Sequence, residues 1–148
     1  RSHVRENFAD REKKEYKKDY HNLSAYFNVD HGTGKIRAVS VMGNQEIRSI
    51  FNEWMKPLHN LGMSHLVPGG NSIGGNPGYH EAYAEVGLPG FYFYQDRLDM
   101  ETNAHTAMDM FDRLVPENTM TNVVILATFV YHAAMRDDKL PRVAPLPW

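Results

Sequence analysis

Residues 24–30 (SAYFNVD) and 35–43 (KIRAVSVMG) are short apolar runs bounded by turn residues, and each predicts a strand. Gly32 and Gly34 between them suit a hairpin or a wider turn. Over residues 45–61 the period changes. Ile47, Ile50, Phe51, Trp54, Met55, Leu58 and Leu61 recur at helical spacing, and Pro57 should kink or shorten the last turn of that helix. Residues 62–78 include GGNSIGGNPG, show no alternation and predict a long loop. A short helix at 79–87, closed by Gly87, leads into the aromatic strand LPGFYFYQ and then the polar loop DRLDMETNAHTAMD. Residues 116–136 form a helix opened by Pro116, apolar on most faces and therefore expected to be buried. At the front of the chain, residues 4–19 predict a charged helix with few apolar anchors.

Strands alternating with helices argue a layered α/β domain. The expected organisation is one domain over 1–148: a charged helix and linker at 1–23, an α/β core at 24–136, and a Pro-rich extended tail at 137–148. A length of 148 residues supports one such core and hardly two. With 42% hydrophobic and 23% charged residues, the composition is that of an ordinary globular protein. Runs such as VVILA fall far below the roughly 20 apolar residues of a membrane span. A formal net charge of −2 gives no footprint for nucleic acid or an anionic membrane, so neither is an expected partner. No signal peptide is visible.

The absence of cysteine changes the picture more. It excludes disulfides and thiolate metal sites, leaving His, Asp and Glu as the strong ligands. Three pairs of such residues sit at loop ends near strands, where α/β sheets gather their functional groups: Asp30 with His31, His80 with Glu81, and His105 with Asp109. Converging imidazole and carboxylate donors from separate loops are what a zinc site needs. Asp and Gly are equally what tight turns use, so spacing alone leaves both readings open at Asp30. Ser40 and Ser72 lack the G-x-S-x-G elbow of a serine hydrolase. His59, His65 and His132 lie on or beside predicted helices and are expected to be structural.

Three stretches, in order, carry a resemblance. YFNVDHGTGKIRAV resembles a strand ending in Asn-x-Asp, GYHEAYAEVGLPGFYFYQD resembles a Ser-Asp-His segment followed by Gly-Ile/Leu-Pro, and METNAHTAMDMFDRL resembles a loop bearing a zinc-binding His. Together they are similar to the C-terminal half of the co-catalytic di-zinc exopeptidases, metallopeptidase family twenty-eight, which includes aminopeptidases and the glutamate carboxypeptidase-like and plasma carboxypeptidase-like enzymes. The resemblance implies a three-layer α/β/α fold with a mixed sheet, truncated by its N-terminal strands. It implies that Asp30 holds one zinc ion and His105 the other, with His80 the catalytic group near the substrate and Tyr79 and His31 binding it. Tyr79 stands where the family carries the Asp of Ser-Asp-His, and Ala104 where a Tyr or His precedes the ligand His. The family's general-base Glu and three of its five metal ligands precede the matched region.

Hydrolysis of a small peptide, amide or ester substrate is therefore expected, in a secreted or periplasmic setting by resemblance. A homo-oligomer or a missing segment would complete the site, and self-association could bring Asp30 and His105 together from two subunits. Two alternatives stand beside this. One is a metal-independent hydrolase with a pocket of His31, His80, His105, Tyr79 and Asp109; the other is an inactive oligomeric remnant.

Overall fold

The computed structural model describes residues 1–30, 32–69 and 78–145. The expected charged helix at 4–19 does not form as one piece. Helix α1 (Ser2–Asn7) gives way to a two-stranded antiparallel hairpin, β1 (Ala9–Asp10) and β2 (Glu15–Tyr16), and then a 3-10 helix (Lys18–His21). The cause is local. The Asp10 carboxylate accepts the backbone N–H groups of Glu12 (3.0 Å) and Lys13 (3.2 Å), a side-chain turn that competes with helical bonding, and Lys14 adopts a left-handed φ of 52°.

The expected strands form as β3 (Tyr26–Val29) and β4 (Ile36–Ser40), but they do not pair with each other. Helix α2 (Glu46–Met55) continues as a 3-10 helix (Lys56–Leu61), the tightening expected at Pro57, and Gly62 ends it at φ 93°. A further strand, β5 (His65–Val67), lies in what the sequence predicts as loop; three residues are too few to show alternation, and pairing with β4 supplies the order. The rest of the Gly-rich stretch, 70–77, lies outside the described residues. Helix α3 (Tyr79–Ala84) precedes β6 (Gly90–Gln95), α4 (Met100–Asn103) follows it, and α5 (Pro116–Met135) is the last helix.

The sheet order is β3-β6-β4-β5, with β6 parallel to β3 and antiparallel to β4, and β5 parallel to β4. This is the mixed sheet expected, and helices cover both faces. On one face α2 and α5 close over Phe91 and Phe93, with the rings of Phe51, Trp54 and Phe129 in edge contact at 5.0–5.6 Å. On the other, α3 packs against β6 and β3, Tyr83 stacks on Tyr26 at 4.2 Å, and Val4 of α1 joins the cluster that Ala82 and Tyr83 form. Each buried Phe contributes about 2–3 kcal/mol by removal of its apolar surface from water. The tail is held down: Arg142 donates to the Tyr20 and Leu23 carbonyls at 2.9 Å and lies over the Tyr20 ring.

The expectation that α5 is buried needs correction. It buries Asn122, Ile125, Phe129 and Ala133 and leaves large apolar side chains on its outer face in solvent. Near-uniform hydrophobicity says that a helix should be covered, and one sheet covers only one side of it.

Candidate functional site

Because β3 and β6 are parallel neighbours, both end at the same edge of the sheet. The connection from β3 to β4 crosses over the end of β6 to reach the strand beyond, so the turn carrying Asp30 rests on β6 itself. The side-chain amide of Gln95, the last residue of β6, donates to the carbonyls of Gly32 (3.0 Å) and Gly34 (2.7 Å). Asn122, buried on α5, clamps the same turn from the other side: its Nδ2 donates to the Gly34 carbonyl (2.9 Å) and its Oδ1 accepts the Ile36 N–H (2.8 Å). The Asp96 N–H donates to the Lys35 carbonyl at 2.9 Å. A Cβ at Gly34 would overlap the Asp96 carbonyl oxygen, so this crossing requires glycine.

The segment after β6 is wound by its own polar side chains. The Asp99 carboxylate accepts Asn103 Nδ2 and pairs with Arg113 at 3.5 Å. Thr102 Oγ1 donates to the Asp99 carbonyl (2.8 Å) and Thr106 Oγ1 to that of Asn103 (2.7 Å). These bonds carry the chain to His105, which is exposed and holds a left-handed φ of 59°. A β-carbon makes that conformation costly, by about 1–2 kcal/mol, and such residues concentrate at functional sites. Between the two segments lies a cleft of about 120 Å³, with Asp30 and Thr33 on one side and Asp99, His105, Asp109 and Arg113 on the other.

Asp30 and His105 therefore meet in one cleft of one chain, where the sequence reading allowed for two subunits. Asp109 joins them. His80 lies elsewhere: it is 1% exposed in the first turn of α3, its ring 4.7 Å from that of Tyr92. Tyr79, beside it, is 67% exposed. His31 lies outside the described residues. Tyr92 on β6 and Tyr26 on β3 feel the charge of Asp30. Burial, then Asp30 and Tyr94, pushes the Tyr92 hydroxyl far above its ordinary range. Tyr26 is raised by burial, then by Tyr83, Tyr79 and Asp30, and Tyr94 by burial and then Glu81. At neutral pH these hydroxyls are protonated donors.

The donor set does not make a zinc centre by itself. Among the described residues no three His, Asp or Glu side chains converge to hold a metal ion, and Asp99 is already engaged by Asn103 and Arg113. A tight zinc site takes three or four protein ligands, so Asp30 and His105 fall short of one. Four residues that build the site were not found from sequence: Gln95, Asn122, Asp99 and Arg113. Asp99 and Asn103 carried a visible signal, an acid and an amide four residues apart. Gln95 and Asn122 carried none, since their partners are distant backbone atoms.

No protein-family model and no curated protein matches the chain. A crystal structure of a peptidase M28 precursor from Shewanella amazonensis SB2B is similar, with a TM-score of 0.63 and 27% sequence identity over 82% of this chain. The chain spans 26% of that protein's length. This α/β fold with its mixed four-stranded sheet is shared with part of a peptidase M28 structure, and the identity that accompanies it supports a relationship to that family.

Proposed function

We propose that the chain takes part in hydrolysis of peptide, amide or ester bonds, with the cleft between the ends of β3 and β6 as the seat of the scissile group. The observation that carries this is the convergence of Asp30 and His105 in one cleft, at the carboxyl ends of adjacent parallel strands, in a fold similar to a peptidase. In this reading the exposed His105 imidazole, which lines the cleft from a left-handed backbone position, is the proton-handling group. The Asp30 carboxylate accepts a hydrogen bond from the substrate amide or amine. Arg113 and Asn103 fix Asp99, and so the wall opposite Asp30. His80 is a positioning residue, whose ring packs on Tyr92, the tyrosine whose hydroxyl feels the Asp30 charge.

The incomplete donor set favours this metal-free form over a second reading of the same cleft, in which Asp30 and His105 would each lend a ligand to a zinc ion completed from outside the described residues. The two separate on chelator: activity that survives EDTA belongs to the first, and activity restored by zinc to the second.

The test is turnover of p-nitrophenyl acetate and of aminoacyl p-nitroanilides by the whole chain, alongside Asp30→Asn and His105→Gly. Glycine accepts a left-handed φ without strain, so His105→Gly should keep or slightly raise the melting temperature while turnover falls by about a hundredfold. Unchanged turnover in His105→Gly, or none in the wild type with and without zinc, overturns the proposal.

A further inference from the structure

Helix α5 presents an apolar stripe to solvent. Met120, Val123, Val124, Val130, Tyr131 and Met135 each leave between 50% (Val124) and 65% (Met135) of their surface open. Ala127 and Ala134 are exposed between them. Positions 120, 124, 127, 131 and 134 alternate steps of four and three residues, the spacing with which one helix packs along another. A solvated face carries charge instead, yet between Glu117 and Arg136 the only titratable side chains are Tyr131 and His132.

We propose that this stripe seats a second copy of the chain, its α5 laid antiparallel across a two-fold axis near Ala127. Under that operation each residue faces the one equally far beyond Ala127. Met120 then meets Ala134, Val123 meets Tyr131, and Val124 meets Val130, while Ala127 faces itself where the helices approach most closely. Beyond the stripe Glu117, in the first turn, falls opposite the second copy's Asp137 and one position from its Arg136, so the ends add no net charge pairing, while the two helix dipoles oppose each other favourably. The open apolar surface is on the order of 700 Å² per copy, close to the roughly 800 Å² per partner of a standard stable interface. A groove of about 200 Å³ beside Val130 and Ala134, floored by Ala25 and Phe27, extends the patch toward β3. None of this depends on the hydrolytic reading.

The chain's lack of cysteine makes the geometry testable without background. Sedimentation velocity of the whole chain, from micromolar to about 0.1 mM, should show a dimer. Val124→Lys should weaken association by at least about tenfold with an unchanged circular dichroism spectrum, because Val124 is half exposed. On oxidation with diamide, Ala127→Cys should cross-link to itself, and Met120→Cys only when mixed with Ala134→Cys. A wild type that stays monomeric overturns the proposal, whether or not it binds phosphatidylcholine vesicles through this face. So does a dimer that Val124→Lys leaves intact, or self-linking by Met120→Cys in preference to Ala127→Cys.

Discussion

Asn122 holds the cleft turn to α5 with two hydrogen bonds from a buried position, which makes Asn122→Ala a sharp test of how the site is built. The two bonds are not equivalent. The Gly34 carbonyl keeps Gln95 as a donor, so loss of Asn122 Nδ2 costs only the bond, about 0.5–1.5 kcal/mol. Ile36 is fully buried and its N–H has Asn122 Oδ1 as acceptor, so truncation strands a buried donor at about 1–3 kcal/mol. The total, roughly 2–4 kcal/mol, predicts a melting temperature lower by about 4–16 °C for a chain of this size. Asn122→Asp separates the two contributions. Its carboxylate restores the acceptor for Ile36 but sets a second oxygen against the Gly34 carbonyl. A protonated acid donates there, so the folded-state pKa of the new carboxyl is raised and the loss should shrink as pH falls below it. Thermal denaturation by circular dichroism gives the stability, and amide exchange at Ile36 gives the local effect. An Asn122→Ala protein that melts within about 2 °C of wild type, with Ile36 still protected, would refute the clamp.

Two further outcomes follow from packing and burial. A Cβ at Gly90 would overlap the His80 carbonyl oxygen, so Gly90→Ala must push α3 off the sheet. A loss of about 1–3 kcal/mol in urea denaturation is expected, and an unchanged midpoint would show that α3 yields freely. Burial raises the hydroxyl pKa of Tyr20, Tyr26, Tyr83, Tyr92 and Tyr94. Above pH of about 10 the unfolded chain therefore releases protons that the folded one retains; stability is full below that pH and falls as pH rises. Phenolate absorbance of these five should appear in step with unfolding, and titration of all eight tyrosines near pH 10 with the fold intact would contradict it.

The strands at 26–29, 36–40 and 90–95 and the helices at 46–55 and 116–135 were legible because each is a run whose period is set within a dozen or so residues. Their arrangement was not. Strand β6 inserts between β3 and β4, and nothing local in SAYFNVD or KIRAVSVMG distinguishes a hairpin from that crossing. The N-terminal helix failed at one residue, Asp10, whose carboxylate offered the backbone a better partner than the next helical turn. For α5, composition showed that the helix needs cover on every side but could not show that the sheet supplies only one. In the cleft, Asp30 and His105 were marked by residue type and by resemblance. Gln95 and Asn122 read as ordinary polar residues, since what they bind are carbonyl and amide groups that any sequence has.

The Gly34 carbonyl receives amides from Gln95 and Asn122, which follow it by 61 and 88 residues. No segment of the chain can therefore fix the Asp30 turn on its own, and contacts so distant in sequence are slow to close. During synthesis, Asp30 and His105 both leave the ribosome before Asn122, the residue that secures the turn between β3 and β4. A chain cut ahead of Asn122 would retain both side chains and lose half of the clamp that sets them. The order of the cleft is thus tied to completion of the last helix, and folding of the site follows folding of the sheet.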